Sequence, residues 1–492
     1  MSRLLAILLL QAFLLVRLPF AAAEEKAGPT LRALIVTCDQ FISQEDTTPA
    51  AQENARLMAE MLARDARSYA AVRTECDTIG SVDAFAGAVE QAFAGADGDD
   101  ISLIYISTHG LYNPSRSNLT AELLLSDGNT EETVTPQLLE SILAMIPGTH
   151  VLLMDACHSG AFIGKGLSDR PDAVPLTGDT KVLCSAGGSE DSWYWRSGDT
   201  GTLHGAGYFT SILTRGCDPG AAFPADGDED GEITLREAFL WLRGHYAVST
   251  AQVYPERDDG FVLFACGGAG EETGLTDIEF EDTVFAGRTN SLRFSFELGG
   301  PMRVAYQLVY LRQGGWDFPN AVQFSEPEAL EPGYYERALT LHLADEDEDV
   351  SGYLMVQIFS MDGERPLLHE SRLISVLPLS GDIALSVECS SVFRLGPGME
   401  MPVTVRHDIP CVLTVAVQNA RGETVRYLAY EQQSRPQHLV PEGTCLYWDG
   451  SLADGSPAAP GYYLIRVETE IGGVIYRAYS PLFRLLPEQN EG

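Results

Sequence analysis

HVLLMDACHSG, residues 150–160, joins a run of apolar residues to a polar turn that contains a cysteine and a histidine. The apolar run does not alternate with polar residues, which is typical of a strand buried on both faces of a parallel sheet. A similar junction occurs upstream in ISLIYISTHG (101–110), where a strand-like run ends just before His109. Because ligands of open α/β sheets bind beyond the carboxyl ends of the strands, we expect His109 and Cys157 to lie at a functional edge.

The sequence on both sides of these junctions alternates strand-like and helical patterns from residue 31 to residue 266. This alternation predicts an α/β sandwich, a mostly parallel sheet flanked by helices. After the Gly-Gly-Ala-Gly stretch at 267–270 the pattern changes to alternating strands with no convincing helix, which predicts two all-β sandwiches at 271–379 and 380–492. Strands of the first unit are predicted at 31–37, 69–76, 101–107, 150–155, 181–186 and 261–266, and helices at 50–63, 82–93, 136–145 and 234–245.

The residue types at the two junctions suit nucleophilic catalysis. A cysteine thiol is partly ionised near neutral pH and is intrinsically nucleophilic, and a nearby imidazole stabilises the thiolate and protonates a leaving amine. Cys157 lies 48 residues after His109, close to the offset of roughly 50 residues that separates this pair in caspases. His158 is expected to orient the loop or to face solvent rather than to take part in catalysis.

The DACHSG and STHG motifs resemble the two catalytic blocks of the caspase and metacaspase superfamily, which also includes clostripain, gingipain and legumain. The resemblance covers about residues 30–266 and includes AGYFTSIL (206–213), which is similar to a helix start of that family. It implies a cysteine endopeptidase in which Cys157 is the nucleophile and His109 the general acid/base. It also implies an oxyanion hole formed by the backbone N–H groups of Gly110 and Cys157. The peptidase domain is expected to span residues 24–270, after an N-terminal segment that is described below.

Substrate selection is implied by Asp155, two residues before the nucleophile, at a position that lines the S1 pocket in this superfamily. A buried carboxylate there would pair with a cationic side chain, so cleavage after Arg or Lys is expected. Metacaspases usually add a second acid in the first helix, but here Asn54 occupies that position. Whether Asp39 supplies the missing acid stays open. Lys165 and Arg170, in the loop that follows the nucleophile, are candidate sites of self-processing.

Residues 226–237, DGDEDGEITLRE, match the calcium loop of an EF-hand. Such a loop needs oxygen ligands at positions 1, 3, 5, 7, 9 and 12 and a glycine at position 6 for the sharp turn. The preceding residues are not helical, so the loop resembles the half EF-hand of dockerins and is expected to bind Ca²⁺ in a structural role. An acidic solvated turn is the alternative, and no organic cofactor is expected. The candidate ligands are Asp226, Asp228, Asp230, Glu232, Thr234 and Glu237.

Charge and the N-terminal segment indicate where the protein works. The chain has 32 basic and 70 acidic side chains, a net charge of −38, so no basic face is available to bind nucleic acid. Residues 1–23 combine Arg3, an apolar run and a small-residue end at Ala23, which predicts a secretory signal peptide. We therefore expect a secreted, extracellular bacterial protein with no membrane span after signal cleavage. The nine cysteines, an odd number, leave at least one thiol unpaired or paired with another molecule in an exported chain.

The last unit carries a second resemblance. TCLYWDGSLADGSPAAPGYYLIRVETEI (444–471) is similar to the C-terminal strands of FlgD-type immunoglobulin-like domains, in a W-D-G turn, a D-G turn and an A-P-G-x-Y strand start. The resemblance implies an interaction module, and hence a cell-surface or other protein partner beside the protein or peptide substrates. An alternative function follows from the same organisation: the first unit is a catalytically inactive caspase-like scaffold in a surface adhesion protein.

Overall fold

The structure, a computed structural model, describes most of the chain after residue 27. The predicted signal peptide at 1–23 and Arg170 lie outside the described residues. None of the helices within those residues combines the length and apolar character that crossing a membrane requires. The described ranges are 28–43, 50–112, 121–166, 176, 180–197, 204–246, 248–256, 260–268, 273–280, 283–285, 289–311, 323–342, 352–377, 383–396, 399–437, 440 and 442–487.

The first unit contains the helices and a mixture of long and short strands. Two 3-10 turns, Ser159–Ile163 and Pro219–Ala221, complete it. Its helices are α1 (Ala51–Arg64), α2 (Val82–Ala92), α3 (Pro136–Leu143), α4 (Tyr208–Gly216) and α5 (Leu235–His245). Its strands are β1 (Leu31–Thr37), β2 (Tyr69–Cys76), β3 (Ile101–Ser107), β4 (Gly110–Tyr112), β5 (Ala121–Ser126), β6 (Glu131–Val134), β7 (Thr149–Asp155), β8 (Thr180–Cys184), β9 (Tyr194–Ser197), β10 (His204–Gly207), β11 (Glu232–Thr234), β12 (Gln252–Tyr254) and β13 (Val262–Ala265).

Local sequence sets where several of these helices begin. Ser81 and Thr135 accept hydrogen bonds from backbone N–H groups in the first turns of α2 and α3. Thr234 and Glu237 form a reciprocal capping box at the start of α5. Such caps satisfy N–H groups that have no partner inside the helix, so each fixes the residue at which its helix starts.

The central sheet has the order β12-β8-β7-β3-β1-β2. Its pairs are parallel except for β12, which runs antiparallel to β8 at one edge. The predicted strand at 261–266 forms as β13, but it lies outside this sheet. Its backbone hydrogen bonds go to β11 in a separate two-stranded antiparallel sheet. The short strands β4, β5 and β6 form a three-stranded sheet, and β9 pairs with β10.

Two apolar cores cover the faces of the central sheet. Along β1, Ile35 belongs to one core and Leu34 to the other, and β3 and β7 divide their residues in the same alternating way. Helices α1, α4 and α5 pack on the first face, and α2 and α3 pack on the second. Burial on both faces explains the unbroken apolar runs in the sequence, because successive side chains of a strand point to opposite sides.

The rest of the described chain is made of strands. Residues from both sheets of the last unit, among them Val403 and Val415, share one buried core. The middle unit has the sheets β14-β16-β20 and β15-β22-β21-β17-β18, with β19 on β17; the last has β23-β25-β28 and β24-β31-β29-β26-β27, with β30 on β29. Their bounds are β14 (Leu275–Phe280), β15 (Thr283–Phe285), β16 (Thr289–Leu298), β17 (Met302–Leu311), β18 (Gln323–Phe324), β19 (Glu328–Leu330), β20 (Gly333–His342), β21 (Gly352–Asp362), β22 (Arg365–Leu377), β23 (Leu385–Cys389), β24 (Val392–Arg394), β25 (Met401–His407), β26 (Cys411–Asn419), β27 (Thr424–Ser434), β28 (Thr444–Trp448), β29 (Gly461–Ile471), β30 (Val474–Tyr479) and β31 (Phe483–Leu486).

The middle unit shares part of its buried core with the first unit. Met355 and Phe359 of β21 belong to the same buried cluster as α4 of the first unit. The ring of Phe359 lies 5.3 Å from that of Trp195, edge to face. Tyr208 at the start of α4 accepts a hydrogen bond of 2.6 Å from Gln357. The first unit therefore has one sheet face covered in part by the middle unit.

Candidate active site

Strand pairing brings the two junction motifs together. In the parallel pair of β3 and β7, Ser107 lies opposite Asp155. His109 and Cys157 each follow by two residues, so both lie at the same carboxyl edge of the sheet. The backbones also touch: a Cβ atom placed on Gly110 would lie 1.7 Å from the carbonyl oxygen of Cys157. The structure thus brings the glycine neighbour of the predicted histidine against the predicted nucleophile, at the edge of the sheet where both motifs lie.

This close approach gives a prediction for Gly110. Gly110→Ala is expected to lower the free energy of unfolding by about 1–3 kcal/mol, because the new methyl group overlaps backbone atoms that cannot move independently. Gly87→Ala is the matched control: Gly87 lies in α2, and no neighbouring atom comes within 4 Å of the place that its methyl group would take. That change is expected to stabilise the protein by about 0.5–1 kcal/mol. Urea unfolding of both variants measures the two changes, and equal effects would contradict the tight contact.

The Cys157 thiol faces the segment that follows β8. Its Sγ accepts a hydrogen bond from the backbone N–H of Ser192 at 3.3 Å and donates one to the carbonyl oxygen of the same residue at 3.6 Å. Burial, with the nearby acids Asp191 and Asp155, raises the pKa of this thiol to about 12. Low polarity and negative charge both favour the neutral thiol over the thiolate. In this conformation Cys157 is therefore protonated at neutral pH.

His109 is half-buried and packs against Phe41, with 4.3 Å between the ring centroids. Its carbonyl oxygen accepts a hydrogen bond from the N–H of Leu124, so the turn after β3 is tied to β5. His158 has a left-handed backbone (φ 58°), which turns the chain sharply beyond Cys157. The Nε2 atom of His158 lies 3.5 Å from Asp191, and burial lowers the pKa of its ring.

Asp155 is a buried carboxylate surrounded by hydroxyl groups. It is 1% exposed, and its two oxygens accept hydrogen bonds from Ser192 at 2.8 Å and Thr210 at 2.6 Å. Gly207 lies against it, since a Cβ atom there would be 2.0 Å from Oδ2. Burial raises the pKa of the carboxyl group. Among the described residues, Asp155 therefore has neutral hydrogen-bond donors and no Lys, Arg or His side chain in an ion pair.

Asn54, which stands where the second acid is expected, and Asp39, its possible substitute, both have other partners. Asn54 is fully buried: its Nδ2 donates to Ser107 and its Oδ1 accepts from the N–H of Gly207, both at 2.8 Å. Asp39 accepts a hydrogen bond of 3.0 Å from the N–H of Ala51, the first residue of α1. Asn54 therefore links strand ends, and Asp39 caps a helix.

The acidic loop before α5 is only partly assembled as a cation site. Asp226, Asp228 and Glu237 place ligand oxygens within 4.8 Å of one another. Of the other three predicted ligands, Asp230 accepts from the N–H of Glu232 at 2.8 Å, and Thr234 donates its hydroxyl to Glu237. The side chain of Glu232 is exposed and does not belong to the group formed by Asp226, Asp228 and Glu237.

Sequence reasoning missed one residue that touches both central groups of the site. Ser192 contacts Cys157 and Asp155, although it lies 35 residues beyond the nucleophile. Thr210, the other donor to Asp155, falls within the AGYFTSIL stretch, so its position was available from the resemblance. The residues around Ser192 form no local pattern that signals its role.

Comparison with known proteins indicates the class of protein to which the first unit is similar. A parallel sheet with a cysteine and a histidine at its carboxyl edge has the organisation of a cysteine hydrolase. Residues 30–268 match the family model of the caspase domain, Peptidase_C14. This part of the chain is therefore similar to a caspase domain, and the match supports a cysteine peptidase. No curated protein matches the chain in sequence.

Solved structures give weaker similarities. A secreted C11 cysteine protease from Bacteroides thetaiotaomicron, in complex with an irreversible peptide inhibitor, has 18% identity and a TM-score of 0.20 over 32% of this chain and 48% of that one. The class 5 fimbriae chaperone CfaA has 10% identity and a TM-score of 0.23, covering 42% of this chain and 99% of its own. The tandem V-type regions of the chitin-binding protein VCBP3 have 13% identity and a TM-score of 0.18, covering 43% and 99%. TM-scores of this size do not establish a shared fold.

Proposed function

We propose that this protein is a secreted, caspase-like cysteine endopeptidase that cleaves after Arg or Lys. The observation that carries the proposal is the in-register pairing of Ser107 with Asp155, which puts His109 and Cys157 at one edge of the sheet. His109 takes the proton of the Cys157 thiol, and the thiolate attacks the scissile carbonyl carbon. His109 then passes this proton to the departing amine as the C–N bond breaks. The N–H groups of Gly110 and Cys157 stabilise the oxyanion. Water then hydrolyses the acyl-enzyme and frees the thiol.

Specificity in this proposal comes from Asp155. A carboxylate that is buried without a cation is costly, and a guanidinium or ammonium group from the substrate would compensate its charge through charge-assisted hydrogen bonds. Ser192 and Thr210 now supply only neutral donors to it. An Arg or Lys side chain that reaches Asp155 would have to displace Ser192, which occupies one carboxylate oxygen.

The experiment that tests this function is a panel of fluorogenic peptides identical except for P1, with Arg, Lys, Asp or Gln at that position. We expect cleavage of the Arg and Lys peptides and little turnover of the other two. Equal turnover of the Arg and Asp peptides would contradict the assignment of Asp155. No turnover of any peptide, with or without calcium, would favour the inactive scaffold.

Calcium binding is the second part of the proposal. The loop at 226–237 would hold Ca²⁺ through Asp226, Asp228 and Glu237, joined by Asp230, the backbone of Glu232 and Thr234 once the loop closes around the ion. The preassembled oxygens of the first three residues support it. Because Glu237 also caps α5, a bound ion would fix the start of that helix, which is a structural role.

Glu237→Gln is expected to weaken calcium binding by roughly tenfold or more, since the bidentate ligand at position 12 loses its charge. Glutamine can still serve in a capping box, so the helix start is preserved. Glu229→Gln is the control, because Glu229 lies in the same loop at a position that supplies no ligand. Calorimetric titration compares the two variants with the unchanged protein; equal weakening by both, or no heat at millimolar calcium, would rule out the site.

The remaining parts of the proposal concern location and partners. The pattern of residues 1–23 supports export, and the protein is proposed to work outside the cell on protein or peptide substrates. The two strand-rich units are proposed to be immunoglobulin-like, the last of them FlgD-type, and to bind a cell-surface or other protein partner.

A further inference from the structure

Residues 187–193, called here the covering segment, lie over the two groups on which the proposed function depends. Ser192 binds the Cys157 thiol through both its N–H and its carbonyl oxygen. The hydroxyl of the same residue donates to Asp155 at 2.8 Å. One residue of the chain thus contacts the nucleophile and the acid that is proposed to bind the substrate side chain.

The covering segment is held by a second buried carboxylate. Glu190 is 3% exposed and accepts a hydrogen bond of 2.8 Å from the N–H of Thr250. Its carbonyl oxygen accepts one of 2.7 Å from the N–H of His158, the residue after the nucleophile. Ser249 donates its hydroxyl to the carbonyl oxygen of Asp191. These contacts place Ser192 at the end of a firmly bound loop.

The cation that compensates Glu190 comes from the last unit. Arg435, which directly follows β27, donates to Glu190 at 2.7 Å, and the two side chains are 4% and 3% exposed. A carboxylate buried to this degree depends on its partner, because removal of one member of such a pair leaves an uncompensated charge. Arg435 lies 245 residues from Glu190 in sequence, so this contact ties the last unit to the candidate active site.

The last unit also contacts the loop on the other side of the nucleophile. The hydroxyl of Tyr447 accepts a hydrogen bond of 2.9 Å from the N–H of Gly166. Lys165 lies above the ring of Tyr447, with Nζ 5.3 Å from the ring centroid. Gly166 in turn accepts a hydrogen bond of 3.1 Å from Ser189 of the covering segment. Both segments next to Cys157 are therefore bound to the last unit and to each other.

We infer that the last unit keeps the enzyme latent: through Arg435 and Glu190 it holds Ser192 in the place that the P1 side chain and the free thiolate need. This inference rests on the proposed function and adds its regulation. Any event that moves the last unit away from the first leaves Glu190 without its cation, and the covering segment then opens more often. The equilibrium between the covered and open states of the segment then shifts toward the open state, by the free energy that the contact between Arg435 and Glu190 contributes to the covered state.

The test uses the full chain and two independent readouts. The first is the rate at which iodoacetamide alkylates Cys157, followed by mass spectrometry of the peptide that contains it, which needs no peptidase activity. The second is kcat/KM on a P1-Arg peptide. Arg435→Gln is expected to raise both by roughly tenfold or more, because the buried pair is lost. Arg406→Gln is the control, since Arg406 pairs within the last unit with Glu388, which is 69% exposed; it is expected to change neither readout.

Tyr447→Phe provides a milder variant of the same contact, in case Arg435→Gln does not fold. It removes one hydroxyl and is expected to raise alkylation about threefold, as the loss of a single hydrogen bond would. Unchanged or slower alkylation in a folded Arg435→Gln protein, or in Tyr447→Phe if the former does not fold, would overturn the inference. Faster alkylation without cleavage of any peptide would show that the last unit holds Ser192 over Cys157, and would refute the proposed peptidase activity. If the unchanged protein cleaves the peptide and Arg435→Gln alters neither readout, the peptidase is upheld and the inferred latency is refuted.

Discussion

Cys157→Ala is expected to reduce cleavage of P1-Arg peptides by at least about a thousandfold, to the level of the uncatalysed background. The reason is that the proposed reaction passes through a covalent acyl-enzyme, and alanine has no atom that can form it. Fluorogenic assays of kcat/KM at saturating calcium measure the loss. Residual turnover close to that of the unchanged protein would show that Cys157 is not the nucleophile.

Cys76→Ala is the matched control for this variant. Cys76 is a half-buried free cysteine at the end of β2, in the same unit. Its replacement is expected to leave cleavage within about a factor of two, because it removes a thiol of similar exposure without touching the edge formed by β3 and β7. A comparable loss in both variants would indicate general damage to the fold rather than loss of a nucleophile.

Asp155→Asn is expected to lower kcat/KM for P1-Arg and P1-Lys peptides by roughly a hundredfold, and to leave the P1-Gln peptide nearly unchanged. Removing one partner of a buried charge pair costs about 2–5 kcal/mol in binding, which corresponds to this range. Asparagine has nearly the same shape and can still accept a hydrogen bond from Ser192 or Thr210, so the surroundings of the nucleophile are retained. The measured quantity is the ratio of kcat/KM for the Arg and Gln peptides.

Asp191→Asn separates this effect from a general change of charge near the thiol. Asp191 also raises the pKa of Cys157, but its side chain is 34% exposed and it faces His158 rather than Asp155. We expect the ratio of Arg to Gln cleavage to be unchanged in this variant. If it collapsed as far as in Asp155→Asn, the selection would come from the overall potential and not from a specific carboxylate.

Much of the first unit could be predicted from the sequence, because most strands of its central sheet are unbroken apolar runs that alternate with helical patterns. The predicted strands at 31–37, 69–76 and 101–107 form with those bounds, and the first residue of α3 is the predicted Pro136. The same runs placed His109 and Cys157 at strand ends. Local patterns were sufficient to locate both residues, because β3 and β7 are parallel and in register and their following motifs therefore lie at the same edge of the sheet.

The parts that could not be predicted depend on contacts between distant residues. β12 is only three residues long and takes its place by pairing with β8. The covering role of Ser192 and the pairing of Glu190 with Arg435 have no local signal, because neither residue type nor spacing indicates a partner in another unit. The immunoglobulin-like character of the last two units stays a prediction, since the structure shows strand-rich sheets and no finding identifies their family.

The shared core of the first and middle units changes what the boundary near residue 270 means. Tyr208 and Trp195 are fully buried, and they meet Met355, Gln357 and Phe359 from beyond that boundary. A chain shortened to the first unit would expose this apolar surface to water and lose a buried hydrogen bond, and both changes are destabilising. The change of pattern in the sequence therefore marks a change of architecture, while the buried core extends across it, and we expect the two units to unfold together.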